Sequence, residues 1–195
     1  MKWGDRLREE GFLKSKRYVE AFNKISREDF LSSEIKKYSN ADEPLPIFLN
    51  QTQTAPHMDA IFLEEASIKK NDVVLEVGTG SGYLTALLAE VSGKVISIEF
   101  FRELSYFARK NIEKYHFKNV DLLIANFYKF CIDLKFDKVI ITAAVPEIPW
   151  FIKEFLNPNG IAVFPLGKDV PQRLIRLKDS KIENLGLVYF VNIIH

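Results

Sequence analysis

Three glycines at alternate positions, Gly78, Gly80 and Gly82, stand between an apolar run and a helix-like stretch. They constrain this chain more than any other feature. Val73, Val74, Leu75 and Val77 precede them, interrupted only by Glu76. A short, mostly β-branched run of this kind suits a parallel strand buried on both faces. Glycine lets the backbone bend tightly and lets a ligand lie against the main chain. Tyr83 to Val91 then carries the apolar residues of a packed helix, and Lys94 to Ile98 is a second β-branched run that ends on Glu99. Strand, turn, helix and strand in this order form the unit from which open α/β sheets are built.

Two ligand classes compete for such a turn. The dinucleotide fingerprint is G-x-G-x-x-G, and here the third glycine comes one residue early. An acid near the end of the first strand followed by G-x-G-x-G resembles motif I of S-adenosylmethionine (SAM) methyltransferases. A dinucleotide needs a helix N-terminus directed at its pyrophosphate. SAM has no phosphate but carries an ammonium and a ribose diol. Glu76 can reach the amino acid end, directly or through water. Glu99, 17 residues past Gly82, can accept both ribose hydroxyls. The bland alternative is a plain βαβ unit with a tight turn and two surface acids. The glycines alone leave the two readings level; Glu76 and Glu99 together tip the balance to SAM.

At 195 residues the chain reads as one domain, large enough to bury a core. Its 27 basic and 26 acidic residues leave a formal charge of +1, so nothing global draws it to nucleic acid or membrane. No aromatic-basic signature of an RNA enzyme is visible. No apolar run is long enough to span a bilayer, and the charged N-terminus has no apolar signal region. The single Cys131 cannot form an intrachain disulfide and is expected to be buried rather than reactive. A cytoplasmic setting is the expectation. His57, His116 and His195 have no ligand spacing, so no metal site is expected. His57 is expected in helix capping or packing, and the other two at the surface.

Residues 1–40 are charged and helix-like, with Leu13, Tyr18, Ala21 and Phe22 as a stripe that Ile25 could continue. Ser26 to Asp29 is a candidate cap for a turn through Phe30 and Leu31. Residues 44–57 are punctuated by three prolines, and Pro56 suits the first turn of a helix that continues through Met58, Ile61, Phe62 and Ala66. Thr54 can therefore cap that helix or present its hydroxyl to a ligand beside the glycine turn; position alone favours the cap. Beyond Glu99, a helical face through Leu104, Phe107, Ala108, Ile112 and Tyr115 precedes a strand at Asn119 to Ile124. Phe136 to Thr142 is a fourth strand, followed by a loop at 143–149 and a short helix at Trp150 to Leu156. Ile161 to Leu166, Arg173 to Leu177 and Leu185 to Ile194 complete a doubly wound, mostly parallel α/β sheet. Ligands in such sheets bind beyond the carboxyl ends of the strands, where the glycine turn, Glu99, Asn126 and the 143–149 loop would gather.

Pro44 to Ile47 with Gln51 to Met58, motif I, Phe136 to Pro149, and Leu156 to Gly167 occur in the order found in one family. Over nearly its whole length the chain resembles protein-L-isoaspartate (D-aspartate) O-methyltransferases. QTQTAPHM looks like the family's QTIS-x-P segment, and LNPNGIAVFPLG like its LKPGGRLVIPVG. The resemblance implies a Rossmann-like SAM methyltransferase fold, with residues 1–57 as an N-terminal helical segment and active-site loop and 58–195 as the core. It places Thr54 at the active-site Ser or Thr position, and Gln51, Thr52 and Gln53 on the loop that closes over SAM. Glu76, Gly78, Thr79, Gly80, Gly82 and Glu99 fall in motif I and the acid after it, and Asn126 falls on a position that meets the adenine. The family's Gly-Asp-Gly is here Ala125-Asn126-Phe127, and an apolar position of the QTIS segment is Gln53.

The implied reaction moves a methyl group from SAM to the α-carboxylate of an isoaspartyl (or D-aspartyl) residue in damaged proteins, initiating repair. A carboxylate of pKa roughly 3.5–4 is ionised at neutral pH, so no general base is required. Two rival readings are a SAM methyltransferase of another substrate, small molecule or RNA, and a SAM-binding module without catalysis.

Overall fold

The computed structural model describes residues 2–194. Helices α1 (Trp3–Glu9) and α2 (Lys16–Lys24) open the chain. Two 3-10 turns, Arg27–Phe30 and Lys36–Tyr38, lead into a small antiparallel ribbon of β1 (Leu45–Pro46) and β2 (Thr52–Gln53). Then come α3 (Pro56–Ala66), β3 (Val73–Val77), α4 (Tyr83–Val91), β4 (Lys94–Glu99) and α5 (Arg102–Glu113). The rest is β5 (Val120–Ile124), β6 (Phe136–Ile141), β7 (Leu156–Leu166), β8 (Gln172–Lys178) and β9 (Lys181–Val188).

The last seven strands form one sheet in the order β5-β4-β3-β6-β7-β8-β9. The first five are parallel, and β8 and β9 extend the sheet antiparallel. The chain builds outward from β3 to β5 and then returns to place β6 on the other side of β3. That reversal is a topological switch point, where the loops on the two sides diverge and open a crevice.

Successive residues of a strand point to opposite faces. Val74, Val95, Ile140 and Val163 face one core, which they share with α1 to α4. Leu75, Ile96, Val139 and Phe164 face another. Both are closed to water, which is why the strands read as apolar runs rather than as alternating ones. Among the described residues all five α-helices precede β5. The second core is closed mainly by aromatic side chains, Phe136 on β6 and Phe127, Phe151 and Phe155 on short turns outside the strands.

Several local expectations need correction. Trp150 to Leu156 is a series of turns rather than a helix: Ile152, Glu154 and Leu156 each donate to the carbonyl three residues back. Phe151 and Phe155 are drawn into the Phe127 and Phe136 rings, and so short a segment gains too little from helical bonds to resist. The last strand ends at Val188, not Ile194. It starts earlier than expected because Asp179 and Ser180, both at positive φ, make a two-residue hairpin turn from β8. Beyond β9 the chain crosses back over the sheet, with Ala144 N–H donating to the Val191 carbonyl (2.8 Å) and Ile193 N–H to that of Ala144 (2.9 Å). Leu13 is buried but lies ahead of α2, and Ser26 precedes its 3-10 turn without a side-chain cap bond. Cys131 is exposed, not buried. His116 is exposed, as expected, and His195 lies outside the described residues.

Candidate active site

Two chambers open above the carboxyl ends of β3, β4 and β6. The larger, about 240 Å³, is bordered by Thr52, Gln53 and Thr54 and by Gly78, Thr79, Gly80 and Ser81. The smaller, about 80 Å³, contains Glu99 with Phe100, Ala125 and Phe127, and Gln51 and Thr52 at its edge. Thr52, Gly78, Gly80 and Thr142 border both, so the chambers meet over the glycine turn. The end of β9 and the crossing segment after it form a further wall, with Leu187 to Phe190 on the larger chamber and Val191 to Ile194 on the smaller.

The glycine turn is tight for two separate reasons. Gly78 has φ +97°, and a Cβ there would lie 2.5 Å from the Thr142 hydroxyl oxygen. That hydroxyl is in place to donate to the carbonyls of Val77 (3.1 Å) and Gly78 (2.9 Å), tying the ends of β3 and β6 together. Gly82 has φ +89° and begins α4; a Cβ there would press to 3.0 Å against Ile112 of α5. A side chain at either position would strain the backbone or displace its neighbour. Thr79 is buried and its hydroxyl lies 2.6 Å from that of Ser97.

Glu99 closes β4 and accepts two backbone N–H groups, from Gly80 (2.9 Å) and Phe101 (3.0 Å). Burial pushes its carboxyl above the ordinary range, and the backbone donors oppose this. Each carboxylate oxygen has a second lone pair available for a ligand in the smaller chamber. Glu76 is placed differently. It is fully buried behind the turn and borders neither chamber, and it accepts from the Thr85 hydroxyl at 2.5 Å. Asn126 also borders neither chamber, and its Oδ1 accepts from Tyr128 N–H at 2.9 Å, capping a 3-10 turn at Phe127–Lys129.

The capping role that position favoured for Thr54 is not the one observed. The N-cap of α3 is Ala55, without a side-chain cap bond, and Pro56 occupies the first helical position. Thr54 is half-buried on the wall of the larger chamber, and its hydroxyl caps nothing. Its backbone carbonyl is held from below by Arg27, a side chain only 1 % exposed. Arg27 also donates to the carbonyls of Ala41 (2.5 Å) and Glu43 (2.8 Å) and to Gln53 Oε1 (3.0 Å). Gln53 Nε2 in turn donates to Ser81 Oγ (3.0 Å). The polar residue at an apolar family position thus links the loop before α3 to the glycine turn. His57 is held by Asp42, with Nδ1 2.9 Å from Oδ1, and packs on Phe12.

Thr142, Arg27, Ser81 and the crossing segment were not singled out in the sequence. Thr142 could have been, since it ends the strand beside the glycine turn. Asp59 is the least expected member: it is 1 % exposed on the first turn of α3, yet it borders the larger chamber.

Among the described residues, no Lys or Arg borders either chamber. The lining combines acids, hydroxyls, amides and apolar groups, which suits a diol, an ammonium or a neutral base, and offers no cation to a pyrophosphate. The family model described as protein-L-isoaspartate(D-aspartate) O-methyltransferase matches residues 3–195. The chain belongs to that family. It is 44% identical over 196 residues to the protein-L-isoaspartate O-methyltransferase of Pyrococcus horikoshii, covering 96% of this chain and 89% of that protein. A second relative, protein-L-isoaspartate O-methyltransferase 2 of Archaeoglobus fulgidus, is 40% identical over 195 residues with the same coverages, 96% and 89%. Among solved structures, one protein-L-isoaspartate O-methyltransferase superposes with a TM-score of 0.89 at 24% identity, covering 99% of this chain and 65% of that one. A Plasmodium falciparum chain, solved in complex with S-adenosyl-L-homocysteine, gives 0.86 at 23% identity, with 98% and 96% covered. The two superpositions establish the same α/β fold.

Among the described residues, no helix is long and apolar enough to cross a membrane, and no group of three or more His, Cys, Asp or Glu could hold a metal ion.

Proposed function

We propose that this chain methylates the α-carboxylate of L-isoaspartyl and D-aspartyl residues in damaged proteins, with SAM as donor, and that Thr54 aims the carboxylate. The observation that carries the reading is the Thr54 hydroxyl. It is free of any capping duty, and Thr54 shares the wall of the larger chamber with the glycine turn.

SAM, when bound, supplies an electrophilic methyl carbon on a sulfonium. The residues present fit it. Glu99 takes the ribose hydroxyls. Ala125 and Phe127 border the smaller chamber on either side of Asn126; Asn126 itself, whose Oδ1 accepts from Tyr128 N–H, would have to turn toward that chamber for its second Oδ1 lone pair to meet an adenine amine. The Gly78, Thr79 and Gly80 backbone borders the amino acid end, with Gly82 fixing the start of α4. Gln51, Thr52 and Gln53 cover the junction of the chambers. The substrate carboxylate is ionised at neutral pH and needs no base. Thr54 donates a hydrogen bond to one of its oxygens and so directs the other; the surrounding wall excludes water. Orientation of this kind can supply on the order of 7–11 kcal/mol. The whole chain acts in this reading as one methyltransferase unit, residues 1–57 providing the helical segment and loop and 58–195 the core. A cytoplasmic setting is part of the proposal, supported by a lone cysteine with no partner in the chain.

The test is turnover of labelled SAM with an isoaspartyl peptide and its aspartyl twin. The isoaspartyl peptide should be methylated and the twin left nearly untouched. Thr54→Ala should lower turnover about 10- to 100-fold, the cost of a hydrogen bond to a charged group, while Thr54→Ser keeps most of it. Because Thr54 caps nothing, the alanine variant should lose less than about 0.5 kcal/mol of stability. Equal rates on both peptides would instead indicate a broad carboxyl methyltransferase. No rate on either, with SAM bound, would indicate another substrate or a binding module.

Glu99 can be tested by binding alone. Glu99→Ala should weaken SAM by roughly 1.5–3 kcal/mol in calorimetry, and the wild-type chain should not bind NAD. Unchanged SAM affinity, or tight NAD binding, would overturn the assignment of the smaller chamber.

A further inference from the structure

The larger chamber contains a carboxyl group that the reaction described above does not use. Asp59 is 1 % exposed, and neither of its oxygens has a hydrogen-bond partner. The phenol oxygen of Tyr83, on the same chamber wall, is also buried without a partner. Arg27 and Asp59 interact electrostatically, but no ion pair joins them; four of the five Arg27 N–H donors go to the loop carbonyls and Gln53. A buried acid without a donor is a cost that folding does not explain. Native proteins retain such costs where a ligand relieves them.

The acid that the strand motif offers for an ammonium group is Glu76. It stands behind the glycine turn, outside both chambers, and one of its oxygens is already engaged by Thr85. Asp59 borders the chamber assigned above to the amino acid end of the cofactor, which Gly78 to Ser81 also border. We infer that Asp59 is the counter-ion for the α-ammonium of the bound cofactor, a role that passes to it from Glu76. This inference rests on the cofactor assignment above.

The chemistry selects that group. Ionised, Asp59 offers acceptors only, and the ammonium is the one part of the cofactor that brings both positive charge and several N–H donors; the sulfonium has no donor. Rotation of a carboxyl group about χ2 is soft, so its oxygens can turn into the chamber without backbone movement. Burial holds the Asp59 carboxyl well above its ordinary range; Arg27 opposes this, while the nearby Glu76 and Asp42 add to it. Tyr83, whose hydroxyl burial likewise keeps from ionising, adds no competing charge.

Three probes separate the possibilities in calorimetry: S-adenosylhomocysteine, its decarboxylated analogue that keeps the amine, and 5′-methylthioadenosine, which lacks the whole amino acid end. Asp59→Asn should weaken the first two about tenfold or more and leave the third unchanged. The melting temperature of the unliganded variant should equal or exceed that of the wild type. Asp59→Leu, with no polar group to bury, should give the same selective loss. Loss confined to S-adenosylhomocysteine would mean that Asp59 meets the carboxylate and would overturn the inference. Equal loss on all three probes, or a lowered melting temperature in both variants, would make Asp59 a structural residue and also overturn it, as would no loss on any. Failure of the wild-type chain to bind S-adenosylhomocysteine at all would instead overturn the cofactor assignment itself.

Discussion

Arg27→Met should cost the fold about 3–5 kcal/mol, the range seen when one partner of a buried charged hydrogen-bond network is removed. The side chain is almost the longest fully buried group a protein can hold, and here it is only 1 % exposed. Its donors meet four acceptors spread along the loop before α3: the carbonyls of Ala41, Glu43 and Thr54, and Gln53 Oε1. Methionine fills much of the volume but leaves those acceptors without a donor. Arg27→Lys keeps the charge but not the planar fork that serves several acceptors at once, so it should recover only part of the loss. Urea unfolding monitored at constant m would measure both. The same loop carries Thr54, so turnover on an isoaspartyl peptide should fall in the methionine variant even where it remains folded. A loss below about 1 kcal/mol would show that the loop is held by its other contacts.

The legible part of this fold was the part whose signals are local. A strand, three glycines, a helix and a second strand lie within 27 consecutive residues, and each is found where its sequence pattern placed it. The same holds for the acid ending β4, because a parallel strand delivers its last side chain to the ligand edge whatever packs around it. The illegible parts depend on distant neighbours. Trp150 to Leu156 has an acceptable helical composition, but its two phenylalanines join a ring cluster formed by β6 and the segment after β5. Asp179 and Ser180 turn a hairpin that Asn-Gly would have announced.

The site followed the same rule. Thr54 and the glycines were visible in their motifs, but Asp59 occupies what reads as an ordinary polar position of an amphipathic helix. Only the fold reveals that its carboxyl is sealed in. Likewise Arg27 follows Ser26 in a candidate cap, and nothing local says that its guanidinium reaches a loop 14 to 27 residues away. Long polar side chains buried through tertiary contacts have no periodic signature.

Glu76→Gln should make the unliganded fold more stable by an amount that grows with pH. Glu76 is fully buried; one oxygen accepts from Thr85 and the other has no partner. Burial, aided by the nearby Glu99 charge, pushes its carboxyl from 4.5 to about 8, against the pull of hydroxyl donors at Thr85 and Ser97. Below pH 4.5 the group is protonated in both folded and unfolded chains and contributes no pH dependence. As pH rises further, the unfolded chain releases the proton while the folded chain keeps it, so the unfolded state gains. Each unit of that interval costs the fold about 1.36 kcal/mol, and the interval is about 3.5 units, for a total on the order of 5 kcal/mol by pH 8. Above that pH both states are ionised and the penalty stays constant. Glutamine cannot ionise, and its amide oxygen can still accept from Thr85. The raised carboxyls of Glu99 and Asp59 are common to both proteins and largely cancel in the difference. Denaturation curves for the pair should therefore lie close together at pH 4 and separate by several kcal/mol at pH 8, the variant being the more stable. Parallel curves across that range would mean that Glu76 is ionised in the folded protein and compensated by groups that the burial argument does not include.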